Sequence, residues 1–267
     1  MRYQNLFSQL QARNEGAFIP FVVLGDPNLD TSEAAIEALI AGGADALELG
    51  LPFSDPLADG PVIQEADNRA LAAGTRIDDC FKLIAKIRSR HEHLPIGLLV
   101  YANLIFHRGN EQFFADAKKA GADSLLIADV PVEMSEPYRE ISQKTGLPLV
   151  FIAPPNADEK TLEAIAKYGN GYTYLLSRAG VTGTDNRAGT PITRVLNTLK
   201  THNAPPAVLG FGIAEPSQVR DAIAAGTQGA IAGSAVVKII AQHQNDVPAM
   251  TTALRDFAQK MKAATKL

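Results

Sequence analysis

Short, nearly continuous apolar runs recur eight times along this chain, about 25–30 residues apart, and each is followed by a stretch with apolar residues at helical spacing. The runs are Phe18–Leu24, Ala46–Leu51, Ile96–Tyr101, Ser124–Asp129, Leu149–Ala153, Tyr172–Leu176, Ala207–Phe211 and Gly229–Ala232. Strands with one wet face alternate apolar and polar residues; most of these do not, so cover on both faces is expected. Eight such strand–helix units predict a closed parallel barrel, and the 267 residues suit a single domain over 1–267. The expected fold class is therefore α/β: a (β/α)8 TIM barrel with an extra N-terminal helix in the first dozen residues and a short helix after strand eight.

A weak internal repeat fits this arrangement. Ala41-Gly42-Gly43-Ala44-Asp45-Ala46-Leu47, Lys119-Ala120-Gly121-Ala122-Asp123-Ser124-Leu125 and Ala224-Ala225-Gly226-Thr227-Gln228-Gly229-Ala230 each precede a strand. In each, a glycine can take the left-handed conformation that ends a helix. The connections Pro52–Gly60 and Ser177–Gly189 are longer than a connector needs. Both leave C-terminal strand ends, where barrel enzymes carry their sites, and both read as lids.

Composition and missing residue types narrow the chemistry. A formal net charge of −4 argues against general attraction to nucleic acid or anionic membrane, so any phosphate has to be held locally. The N-terminal residues lack a secretory pattern, no run reaches transmembrane length, and the single cysteine, Cys80, reads as a buried thiol, which together predict a cytoplasmic setting. None of the eight runs contains lysine or histidine, so neither a Schiff base nor a zinc site is expected inside the barrel. Gly210-Phe211-Gly212 lacks the third glycine of a dinucleotide fingerprint.

Carboxylates remain. Glu48 lies in the apolar run Ala46-Leu47-Glu48-Leu49-Gly50, and strand alternation points it into the barrel. No run supplies an arginine to pair with it, and burial would raise its pKa into the range where it can give and take a proton. Asp55 and Asp59 follow in the next loop and Asp129 ends strand four; each is also an ordinary turn residue, and position favours one of them joining Glu48. Anion-binding candidates gather late in the chain, at Gly210-Phe211-Gly212-Ile213 and Ala232-Gly233-Ser234-Ala235, with Gly180-Val181-Thr182-Gly183 in the long loop. Glycines admit backbone N–H groups to a phosphate, and Ser234 can open a short helix whose dipole favours negative charge.

The segment Leu47-Glu48-Leu49-Gly50-Leu51-Pro52-Phe53-Ser54-Asp55-Pro56-Leu57-Ala58-Asp59-Gly60-Pro61 closely resembles the signature of the tryptophan synthase alpha-chain family. The similarity extends to Phe21–Pro27, Tyr101-Ala102-Asn103, Asp129–Glu133, Tyr172–Arg178 and both late glycine motifs, covering essentially the whole chain.

That resemblance implies a lyase that cleaves indole-3-glycerol phosphate to indole and glyceraldehyde 3-phosphate in tryptophan biosynthesis. By similarity Glu48 is the acid and base, Asp59 holds the indole N–H, and Tyr174 positions the glycerol chain. Phe21, Leu99, Leu126, Ala128, Ile152 and Phe211 are candidates to line an indole slot, Thr182, Gly183, Gly212, Gly233 and Ser234 to hold the rest of the substrate, and Arg178 with Thr182 to close a lid. The implied partner is a beta chain that carries pyridoxal phosphate, in an alpha2-beta2 tetramer; this chain is expected to hold no cofactor and no metal. Pro52, Asp55, Pro56, Asn103 and Phe106 are the candidate contacts, since apolar loop residues left in water favour a protein partner. The alternatives are another phosphate-binding barrel acting on a phosphoribosyl anthranilate compound and a barrel that only activates a partner.

Overall fold

The computed structural model describes residues 2–177 and 191–266. In chain order the elements are α1 (Arg2–Ala12), β1 (Ala17–Val23), α2 (Leu29–Ala41), β2 (Leu47–Gly50), α3 (Pro61–Ala72), α4 (Ile77–Arg90) and β3 (Ile96–Val100). Then come α5 (Ala102–Arg108), α6 (Asn110–Ala120), β4 (Ser124–Ile127), a 3₁₀ turn (Val132–Met134), α7 (Glu136–Thr145), β5 (Leu149–Ala153), α8 (Glu159–Tyr168) and β6 (Thr173–Leu176). The chain finishes with α9 (Pro191–Thr201), β7 (Ala207–Gly210), α10 (Pro216–Ala224), β8 (Gly229–Ala232), α11 (Ser234–Gln242) and α12 (Val247–Ala263). The eight strands pair in parallel in sequence order, and β8 returns to β1 to close the barrel.

Local chemistry sets the element ends. Asn28, Asp158 and Asp246 cap α2, α8 and α12 by accepting from a backbone N–H in the first turn. The glycines of the internal repeat do adopt the left-handed conformation, with φ of +98° at Gly43, +103° at Gly121 and +100° at Gly226. Several strands end sooner than the apolar runs imply. Asp129 lies two residues past β4, where its carboxylate accepts the Ala102 N–H at 2.8 Å and so caps the start of α5. Phe211 lies one residue past β7 at φ +86°, a left-handed backbone that leaves the strand conformation.

Two apolar layers result from strand alternation. Phe18, Leu47, Leu49, Leu98 and Leu125 face the helices, packed with residues such as Ile36, Ile84 and Phe113. Ile19, Phe21, Val150, Tyr172, Tyr174, Val208 and Ile231 fill the barrel interior. A truncation such as Leu49→Ala in the outer layer costs about 2–5 kcal/mol. The expected N-terminal helix closes the bottom of the barrel: Tyr3, Phe7 and Leu10 join the interior cluster, and the Tyr3 hydroxyl lies 3.1 Å from Ser124 Oγ at the start of β4. Cys80 is buried in the outer layer, where burial pushes its thiol up to about 12 and leaves it inert.

Candidate active site

Glu48 stands in the middle of β2 with its side chain inside the barrel, in register with Phe21 of β1 and Gly97 of β3. It is 1% exposed, and its partner is a tyrosine: Tyr172 Oη, just before β6 on the opposite wall, donates to Glu48 Oε1 at 2.6 Å. Burial raises the Glu48 carboxyl to about 7; the Tyr172 bond pulls it down and the nearby Asp59 charge pushes it up again. A carboxyl poised there can both donate and accept a proton at neutral pH.

Asp59 ends the loop after β2 and is buried at the barrel mouth. Tyr101, at the end of β3, organises it through one hydroxyl, which accepts the Ala58 N–H at 3.1 Å and donates to Asp59 Oδ2 at 2.6 Å. Gln64 Nε2 of α3 donates to the Asp59 carbonyl at 2.8 Å. Burial raises the Asp59 carboxyl above the usual aspartate range, and the Tyr101 bond opposes that rise. Of the three aspartates favoured by position, it is Asp59 that joins Glu48; Asp55 is exposed and bonds Ser54.

Both carboxylates line a narrow cleft completed by Phe21, Ile63, Leu99, Tyr174, Phe211, Gly212, Ile213, Ile231, Gly233 and Ser234. Ala128 and Ile152 line an adjoining cleft that shares Asp59, Leu99, Tyr174 and Phe211 with the first. Leu126 lines neither: it is 2% exposed and packs in the interior cluster with Val150 and Tyr172, so the slot expected to include it is built without it. Ile63, Ile213 and Ile231 take part instead; the first two lie outside the strand runs, where alternation gives no signal.

At the other end of the cleft, Ser234 is the first residue of α11 and Gly233 precedes it. Gly212 has φ +79° and open space where a side chain would project. Glu48 and Asp59 are the charged residues among the described lining, so an anion here meets backbone N–H groups and a hydroxyl rather than a cation. Gly210 is required for a different reason: a Cβ there would overlap the ring and hydroxyl of Tyr174. Arg178, Thr182 and Gly183 lie outside the described residues.

The expected partner contacts divide. Pro52 and Pro56 are buried within the chain, because their loop folds back over Tyr101 and α3, and so offer no free apolar surface. Asp55 and Asn103 are exposed. Phe106 is 75% exposed, and Leu57 at 83% and Met134 at 69% join it. These three apolar residues sit in the connections after β2, β3 and β4, on one side of the C-terminal rim. Among the described residues no group of His, Cys, Asp or Glu is placed to hold a metal ion, and no helix is long and apolar enough to cross a membrane.

The fold and site define a (β/α)8-barrel protein with two buried carboxylates in a cleft at the C-terminal strand ends, the position of barrel-enzyme active sites. Residues 7–266 match the family model of the tryptophan synthase alpha chain, and the chain belongs to that family. It is 61% identical to the alpha chain of Shewanella amazonensis over 264 residues, 99% of each chain. The fold is similar to that of the alpha subunit from Legionella pneumophila, with a TM-score of 0.88 at 28% identity over 99% of this chain and 98% of that one. It is also similar to a chain of the Pyrococcus furiosus tryptophan synthase complex, with a TM-score of 0.82 at 32% identity over 93% and 98%. The family's lyase reaction, cleavage of indole-3-glycerol phosphate, is thus favoured over a phosphoribosyl anthranilate barrel or a non-catalytic activator.

Proposed function

We propose that Glu48 carries out the proton transfers of this retro-aldol cleavage while Asp59 holds the indole. The observation that carries this reading is the convergence of both buried carboxylates and the N-terminus of α11 on one cleft. With its carboxyl near 7, Glu48 gives its proton to C3 of the indole, making an indoleninium cation. The Glu48 carboxylate then takes the proton of the hydroxyl on the adjacent glycerol carbon. As that oxygen becomes the aldehyde carbonyl, the carbon–carbon bond breaks and its electron pair returns to the ring. Asp59, fixed by Tyr101, accepts the indole N–H and stabilises the positive charge that grows there. Tyr174 orients the glycerol chain, and Gly212, Gly233 and Ser234 hold the phosphate at the helix N-terminus.

The chain acts as one domain and passes indole to a beta chain in an alpha2-beta2 tetramer in the cytoplasm. The pyridoxal phosphate belongs to that partner. Asp55, Asn103 and Phe106 with Leu57 and Met134 supply the docking rim, since apolar side chains this exposed favour a covering partner.

The test is indole release from indole-3-glycerol phosphate by the wild type, Glu48→Gln and Asp59→Asn, each with and without a beta chain. We expect loss in both variants and stimulation of the wild type by the partner. Turnover retained by Glu48→Gln removes its assigned role.

A further inference from the structure

We infer that Asp67 of α3 is a positioning residue, a pH-sensitive brace behind Asp59: its neutral form holds the loop of residues 52–60, and its ionisation sets a second negative charge beside Asp59 and loosens that loop. The inference deepens the reading of Asp59 as the indole-holding group and rests on it.

The geometry comes first. Asp67 is 4% exposed, on the inner face of α3, and its Oδ1 accepts the Phe53 N–H at 3.3 Å, tying the helix to the loop. Phe53 in turn stacks on Tyr101, the residue whose hydroxyl fixes Asp59, with ring centroids 5.2 Å apart. A short path of contacts thus runs from Asp67 to Asp59. The second oxygen, Asp67 Oδ2, is buried and finds no hydrogen-bond partner among the described residues. A buried carboxylate left half-satisfied costs far more than the neutral acid in the same place.

Among the described residues, the surroundings supply no compensating cation. Arg69, two residues along α3, is committed to Asp26 through bonds of 2.7 and 2.9 Å, and Glu65 on the same helix is exposed. Asp26 from the connection after β1 and Asp59 from the loop both bring negative charge, and Tyr101 from the end of β3 is uncharged at neutral pH. β1 has no titratable residue, and the one charged residue of α11 is the exposed Lys238. Burial, then the Asp59 charge, raises the Asp67 carboxyl to about 8, against the weaker pull of the Phe53 N–H. Below that pH Asp59 carries the only negative charge of the Asp59–Asp67 pair; above it, the two carboxylates repel each other across the loop.

The full-length wild type and Asp67→Asn test this, the amide being close in shape to a neutral acid and still able to accept from Phe53. We expect the Phe53 amide NMR shift to titrate near pH 8 in the wild type and to stay flat in Asp67→Asn. The wild-type kcat/KM for indole release should fall about tenfold more between pH 7 and 9 than that of the variant, carried by KM, with the two within about threefold at pH 7. Asp67→Leu, which cannot accept from Phe53, should show the raised KM at every pH. A Phe53 amide that does not titrate, or the same alkaline fall in both proteins, overturns the brace. Absence of indole release from the wild type would instead remove the reading of Asp59, and the amide titration would still decide whether Asp67 ionises against the loop.

Discussion

The Tyr172 hydroxyl donates to Glu48 across the barrel axis at 2.6 Å, from the start of β6 to the middle of β2 on the opposite wall. This bond favours the ionised carboxylate, whereas burial favours the neutral acid and is the stronger influence. Tyr172→Phe removes the donor and leaves the burial, so the Glu48 carboxyl should rise further above 7. A hydrogen bond to a charged group contributes about 1.5–3 kcal/mol, which corresponds to a shift of roughly one pH unit or more. The kcat/KM profile for indole release should move its Glu48 inflection alkaline by that amount. An inflection left in place would show that Tyr172 does not set the protonation of Glu48.

Glu48 also has a cost to stability with a definite sign. Its folded-state carboxyl is raised from 4.5 to about 7, so between those pH values the native chain keeps a proton that the unfolded chain has released. Stability contributed by this group therefore falls as pH rises through that window and levels off above it. Glu48→Gln carries no such loss. Chemical denaturation should show the variant gaining on the wild type from pH 4.5 to 7, by about 1–3 kcal/mol, with little difference below pH 4. A difference independent of pH would mean that Glu48 is ionised in the native state throughout.

The barrel and Glu48 were legible in the sequence for one reason: strand periodicity reports which side chains face inward, and a lone acid in an apolar strand has few structural uses. The same periodicity places Tyr172 two residues before Tyr174 on the same face, yet a tyrosine in an interior layer reads as packing until its partner across the barrel is known. Leu126 shows the converse limit. Its inward direction is correct, but an inward side chain can pack wholly within the interior layer without reaching a cleft, as Leu126 does. The burial of Pro52 and Pro56 is not legible in the sequence, because burial of a loop depends on what it folds against, here Tyr101 and α3. Asp67 carries no motif at all; only the meeting of helix and loop reveals its unpaired oxygen.

Gly210 and Tyr174 sit on neighbouring strands so close together that a methyl group cannot be added between them. Gly210→Ala should therefore displace the Tyr174 ring into the cleft. Overpacking costs about 1–3 kcal/mol of stability, and a misplacement of an ångström in a positioning group can cost on the order of a hundredfold in rate. We expect a folded protein whose kcat/KM drops by about that factor. Thermal unfolding measured alongside the kinetics separates the two effects, and full activity would mean that Tyr174 does not need its present position.

The exposed rim permits a separation of partner binding from catalysis. Leu57, Phe106 and Met134 project from three consecutive strand–helix connections, none of them lines the first cleft, and all are largely in solvent. Large apolar side chains at the centre of an interface contribute most of its energy. Phe106→Asp puts a charge there without altering the buried carboxylates, so beta-chain affinity measured by calorimetry should weaken about 10–100-fold, or roughly 1.4–2.8 kcal/mol. Indole release by the isolated chain should stay within about twofold of wild type, because no residue between Phe106 and the cleft loses a hydrogen bond. An unchanged affinity would place the partner elsewhere and leave the exposure of these three residues unexplained.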